Sequence, residues 1–281
     1  MAKSRSFLLK HNSGIGLNAV LPYLEALHFV RSCASEFHSD DVVMDVGCGP
    51  EMYCCKAVLE VFPQVKSLIA VDSEQRLQNA ERTDIIMPFI GNIQERDSLE
   101  YYEGKISKVF SMNVVHEIKD KELAFQNVYR LLKCGGEAAF SFCVESKGNK
   151  FIKAMLEVPK YKKLFQDSFD ENFYPNECRK QYYKEMLERV GFHDVRANEE
   201  RKTLPYSTDE QCKEVLSKTL KKYFKVPREK EDEFIDEAFQ IYVKIDSIAD
   251  GKPYYHSLIL TLFGVKPVES MDLKAMETSD A

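Results

Sequence analysis

Val42-Val43-Met44-Asp45-Val46-Gly47-Cys48-Gly49-Pro50-Glu51 is the stretch on which the reading of this chain turns. Three apolar residues run into an acid, two glycines follow one residue apart, and a helical-looking segment comes next. That is a buried strand ending in a tight turn, where a ligand's polar groups can approach bare backbone. A second apolar run, Leu68-Ile69-Ala70-Val71, closes on Asp72, where an acid that binds ribose hydroxyls is expected. Together the two runs read as a nucleotide-type cofactor site. Asp72 as a helix cap is the plainer alternative.

Outward from this stretch, strand alternates with helix. A helix over residues 15–38 is expected from Leu17, Leu21, Leu24, Leu27, Phe29 and Val30, with Pro22 tolerated near its start. Helices are expected again over 52–62 and 73–82, the latter with Ser73 as N-cap. Further strands are expected over 67–71, 109–112 and 138–144, with a third strand and its turn over 88–93. The helix before the last of these shows Ala124, Val128, Leu131 and Leu132 at helical spacing and is expected to stop at Gly135-Gly136. Such alternation predicts a parallel sheet with helices on both sides, binding its ligand beyond the carboxyl ends of the strands. Asp45–Glu51, Asp72, Asn92 and Asn113 all fall at strand ends, so they are expected to converge.

After residue 145 the rhythm changes. Phe151, Ile152, Met155, Tyr161, Leu164, Phe165, Phe169, Phe173 and Tyr174 form an aromatic-rich insertion, followed by helices and a final strand over 254–263. The expected organisation is an N-terminal helical segment (1–38), a cofactor-binding core (39–145), a helical lid with the remaining strands (146–266) and a loose tail (267–281).

Composition narrows the partners. The net charge of −6 gives no bulk reason to expect nucleic acid. Two lysine clusters, Lys160-Lys162-Lys163 and Lys221-Lys222-Lys225, each lie beside acids and read as solvated helix faces. No apolar run is long enough for a membrane span, and Phe7-Leu8-Leu9 is too short for a signal-peptide core. The eight cysteines form no two-pair metal pattern, so reduced thiols in a cytoplasmic protein, with no metal, are expected. Oligomeric state is not legible.

The cofactor follows from what the glycine turn lacks. The dinucleotide fingerprint needs a third glycine where Met52 stands, and no Gly-Lys-Ser/Thr end marks a phosphate loop. A strand, Asp-x-Gly-x-Gly and a second strand ending in an acid resemble the S-adenosylmethionine-dependent methyltransferases of the seven-stranded class. The resemblance implies a Rossmann-like α/β sheet of seven strands with helical cap insertions. It also implies that Gly47, Cys48 and Gly49 bring backbone to the cofactor's methionine part, with Asp45 near its ammonium group. Asp72 would accept from both ribose hydroxyls, with Ser73 beside it. Asn92 and Ile93 would border the adenine, and Asn113 and Val114 the methionine and sulfonium.

Within that class the chain is similar to the juvenile hormone acid O-methyltransferase family over roughly 40–265. The similarity rests on Asn113-Val114-Val115-His116-Glu117-Ile118 and on Ala124-Phe125-Gln126-Asn127-Val128-Tyr129-Arg130-Leu131-Leu132-Lys133-Cys134-Gly135-Gly136-Glu137. It implies a small apolar carboxylic acid as methyl acceptor. The family carries a Trp after its His, where this chain has Glu117, and a Gln in its N-terminal helix, where only Asn18 could substitute. His116 and Glu117 are thus the candidates for catalysis, and Asn18, His116 and Glu117 for substrate contact. An amine or hydroxyl acceptor, or a homologue that binds the cofactor with weak or no catalysis, is the alternative.

Overall fold

A computed structural model describes residues 17–33, 36–72, 77, 82–166, 179–246 and 253–268, with side chains from residue 21 onward. Seven strands form one sheet: β1 (Val42–Val46), β2 (Ser67–Asp72), β3 (Ile86–Ile90), β4 (Ile106–Met112), β5 (Leu132–Ser146), β6 (His193–Pro205) and β7 (Tyr254–Val265). Their order is β3-β2-β1-β4-β5-β7-β6. The pairs β1–β2, β1–β4, β2–β3 and β4–β5 are parallel. Gly135 donates to the Lys266 carbonyl, and Lys266 N–H donates to Gly136. The start of β5 therefore lies beside the end of β7, which runs antiparallel. The sheet is mixed.

The chain divides into two compact units. The first holds residues 1–142, 178–198 and 260–281, and the second 143–177 and 199–259. In the first, β1, β2 and β4 are buried along nearly their whole length. Strands covered on both faces need apolar residues at successive positions, which Val-Val-Met and Leu-Ile-Ala-Val supply. Paired residues of parallel strands share a face, so Phe110 and Ala139 point one way, and Ser111 and Phe140 the other. Phe110 and Ala139 join a core with α1 (Leu17–Cys33) and α2 (Tyr53–Val61). On the opposite face Phe140 meets Phe125 of α4 (Lys121–Leu131), and Phe142 meets Tyr183 of α7 (Arg179–Val190). Helices thus cover both faces.

Some local expectations change. The buried side chains of α1 are Tyr23, Ala26, Leu27, Phe29, Val30 and Cys33, whereas Leu21 and Leu24 are about half exposed, at 50% and 45%. The buried set recurs at helical spacing, and Leu21 falls on the far side of that stripe. The third strand begins earlier than expected, at Ile86, and ends at Ile90 with the turn after it, before the short helix α3 (Arg96–Leu99). The helix α4 stops at Leu131, before the double glycine, and Gly135-Gly136 already belong to β5. A side chain on Gly136 would lie 2.9 Å from the Lys133 carbonyl oxygen. The second glycine therefore permits close backbone approach instead of ending a helix. Most of 73–82, and the tail from 269, lie outside the described residues.

The second unit has its own core. The helices α5 (Lys147–Glu157), α6 (Pro159–Lys162), α8 (Asp209–Tyr223) and α9 (Glu231–Lys244) contribute Phe151, Met155, Tyr161, Leu216, Phe234 and Tyr242 to one buried cluster. Ser146 and Thr208 cap α5 and α8, each accepting from an N–H three residues on.

Candidate cofactor and acceptor site

Reversal of strand order between β1 and β4 opens a crevice at the carboxyl ends of the strands. A pocket of about 210 Å³ lies there, lined by the strand-end loops of β1, β2, β3 and β4. Its walls include Gly47, Asp72, Asn92, Ile93, Val114 and Glu117. Four segments far apart in sequence meet because each leaves the same edge of the sheet.

The turn after β1 is held from β2. Gly47 and Cys48 both donate to the Val71 carbonyl, at 2.7 and 3.0 Å, and Gly49 donates to Asp72 Oδ2 at 2.8 Å. Gly47 has φ +75 and Gly49 φ +64, a region an L side chain enters only with strain. At Gly47 there is a second constraint. A Cβ there would lie 2.1 Å from Val114 Cγ2, so only a bare α-carbon fits under that side chain. Asn113 has φ +59, with its N–H on the Ser141 carbonyl at 2.7 Å, and this bend sets Val114 over the turn.

Asp72 is 7% exposed and faces the pocket. One of its oxygens is occupied by Gly49, and the carboxylate keeps further acceptor capacity. A buried acceptor beside bare backbone suits a vicinal diol and a polar chain, which is the donor set of an adenosyl ligand. Asn92 is already engaged: its Nδ2 donates to Glu95 at 2.8 Å and its Oδ1 accepts from Gln94 N–H at 3.0 Å. Its amide shapes the loop that borders the pocket.

Asp45, Cys48, Gly49, Asn113 and His116 are not among the residues that line this pocket. Asp45 turns into the core, where Cys55 Sγ donates to its Oδ2 at 3.1 Å. Full burial pushes its carboxyl up to about 7, opposed by the Cys55 hydrogen bonds and reinforced by the charge of Asp72. Its Oδ1 has no hydrogen-bond partner among the described residues. His116 is mostly buried, and burial lowers its pKa. Its Nδ1 likewise has no hydrogen-bond partner among the described residues, and its Nε2 is 4.0 Å from Glu117 Oε1. Glu117 itself is largely exposed, as is Glu51. Ser73 lies outside the described residues, as does the side chain of Asn18, which is in the first turn of α1.

Sequence reading missed Val46, Val71, Gly91, Gln94 and Ile118 as lining residues. It also missed Asn127, which is buried and donates from Nδ2 to the Ile93 carbonyl at 2.7 Å. A signal existed: Asn127 stands next to Val128 on the inward stripe of α4, where a polar residue calls for a buried partner.

Fold and crevice define a Rossmann-like α/β protein with a pocket at its strand ends. A family model described as a methyltransferase domain matches residues 37–191, more than half of the chain. The chain belongs to that family. Its sequence is similar to juvenile hormone acid O-methyltransferase of Bombyx mori, at 26% identity over 137 residues. That match covers 47% of this chain and 48% of the relative, so it spans about half the length of each. Among solved structures, a protein of Bacillus halodurans described as a methyltransferase superposes with TM-score 0.55 at 17% identity, over 87% of this chain and all of that one. The YcgJ protein of Bacillus subtilis gives 0.54 at 13%, over 87% and 99%. Phosphoethanolamine N-methyltransferase 2 of Haemonchus contortus gives 0.50 at 16%, over 95% of this chain and 61% of that one. These likenesses concern the fold.

Proposed function

We propose that this chain methylates an oxygen of a small apolar carboxylic acid, of the juvenile hormone acid or farnesoic acid kind. S-adenosylmethionine is the methyl donor. The observation that carries the reading is the carboxylate of Asp72, fixed by Gly49 and turned into the crevice beside the bare backbone of Gly47. When bound, the cofactor supplies an electrophilic methyl group. Asp72 accepts from the ribose hydroxyls, Gly47 and Gly49 give backbone access, and Asn92 with Ile93 borders the base. Val114 and Asn113 border the methionine end, and Asp45 and Cys48 order the turn from beneath. A carboxylate acceptor is already ionised, so the chain's task is alignment, and no general base is required. The similarity to the Bombyx mori enzyme supports the acid as acceptor.

One observation favours a second reading. Glu117 puts a carboxylate at the pocket. An anionic acceptor would meet it as a like charge, whereas an amine would be drawn to it. His116, held neutral by burial, is the group that would take a proton from a hydroxyl or ammonium acceptor. No described helix is long and apolar enough to cross a membrane. We place the protein in the cytoplasm, acting without nucleic acid, a reading supported by the net charge of −6 and by cysteines scattered without a paired pattern.

The test is a labelled-methyl screen over isoprenoid, fatty and aromatic acids, then amines. Transfer to an acid is expected. Transfer to amines alone would replace the first reading with the second, and no transfer to any acceptor, with cofactor binding intact, would leave a cofactor-binding homologue. Binding is read by titration with S-adenosylhomocysteine, which at ~100 times its dissociation constant should stabilise the fold by about 2.7 kcal/mol. Asp72→Ala should weaken that binding by more than ~10-fold (about 1.4 kcal/mol) with the melting temperature little changed. Unaltered affinity would reassign Asp72 to holding the turn.

A further inference from the structure

The two lysine clusters, about sixty residues apart in sequence, meet at one end of the second unit. Phe165 and Phe224 form an antiparallel bridge, and their rings pack at 5.2 Å. Gln166 N–H donates to the Tyr223 carbonyl at 2.9 Å, and Lys225 N–H to the Leu164 carbonyl at 2.8 Å. The end of α6 is thereby stitched to the end of α8. Two lysines of the group are neutralised, Lys160 by Glu237 at 2.7 Å and Lys221 by Glu231 at 3.0 Å. Lys162, Lys163, Lys222 and Lys225 are exposed and make no ion pair among the described residues. These four lysines lie within three residues of the Phe165–Phe224 bridge, on a chain whose net charge is −6. A solvated helix face accounts for each cluster singly but not for their junction.

The junction also borders a groove of about 840 Å³. Leu156, Pro159 and Phe165 give it apolar walls, and Lys153, Lys162 and Lys163 stand on it, with Glu157 as the one acid among its described lining residues. Leu156 and Phe165 are only partly buried, so apolar surface is open beside positive charge. Ligand clefts span roughly 300–1,000 Å³, so the volume suits a chain-like small molecule. Apolar side chains beside lysine ammonium groups are the complement of one apolar tail with an anionic head.

We infer that this groove binds a single-chain anionic amphiphile, its tail along Leu156, Pro159 and Phe165 and its head on Lys162 and Lys163. The inference stands on the second unit alone. A chain that methylates only amines would leave it untouched.

The experiment uses the full chain and palmitate bearing a diazirine on its tail, below its aggregation concentration. Photolysis should place crosslinks on the peptide spanning 153–165. Lys162→Glu combined with Lys163→Glu should cut palmitate affinity at least ~10-fold, the melting temperature and the affinity for S-adenosylhomocysteine staying unchanged. Crosslinks confined to the loops after β1 to β4, or none at all, would overturn the inference. So would an affinity insensitive to charge reversal. Sedimentation with phosphatidylserine–phosphatidylcholine vesicles, without capture of monomeric palmitate, would make the patch a membrane dock and likewise defeat it.

Discussion

Gly47 meets two demands that a side chain fails separately, and the two can be measured apart. Its left-handed backbone costs an L residue about 1–2 kcal/mol, and a Cβ would collide with Val114. Gly47→Ala should destabilise the fold and abolish detectable binding of S-adenosylhomocysteine. Adding Val114→Ala should return part of both, because it relieves the collision and leaves the torsion. Calorimetric titration of the single and double variants decides; no recovery would mean that the torsion alone governs the turn. Asp45 makes a different prediction. Its folded pKa, near 7, lies above its ordinary value of 3.8, so the folded state holds the proton more tightly than the unfolded chain. Stability from this group is full below about 4, falls as pH rises, and is gone above about 7. Asp45→Asn cannot ionise, so its stability relative to the parent should climb across that window and then level off. Urea unfolding at several pH values would show this, and a flat difference would refute it.

Among the elements, the strands were legible and the loops only in part. The apolar runs before Asp45 and Asp72 identify β1 and β2 because strands buried on both faces have no alternative composition. The double glycine misled, because Gly-Gly after an amphipathic run carries the same signal whether it caps a helix or lets two backbones pass closely. In α1, Leu27, Phe29 and Val30 of the expected stripe are buried, whereas packing replaces Leu21 and Leu24 with Tyr23 and Ala26. The loop after β3 depends on a partner that no local pattern gives. Asn127 on α4 holds the Ile93 carbonyl while Arg130 donates to its Oδ1 at 2.7 Å. Asn127→Ala leaves that carbonyl unpaired and should cost about 1–3 kcal/mol. It should also weaken cofactor binding, since Asn92–Gln94 loses its support. If stability falls while affinity is unaltered, the loop keeps its shape without the anchor.

At the scale of the whole molecule, four strand-end loops make the site, and this convergence could be anticipated from alternation alone. The composition of the second unit was legible, but its assembly was not. Long-range pairing such as Phe165 with Phe224 leaves no periodic trace, so two basic clusters read as separate until the bridge joins them. Hydrogen exchange should report the difference between the two regions. S-adenosylhomocysteine should slow exchange at 46–49, 71–72, 91–94 and 113–118, leaving 153–165 unaffected. Protection spread evenly over both regions would argue against a ligand held by the strand ends.

The bond from Gly49 to Asp72 has a kinetic consequence. A carboxylate already held by a backbone amide need not search for its rotamer when a ligand arrives, and the entropy of fixing it is spent during folding. Occupancy at this corner should then follow encounter in a single phase, with no slow rearrangement behind it. Differences in affinity among cofactor analogues would be expressed in how long each one stays.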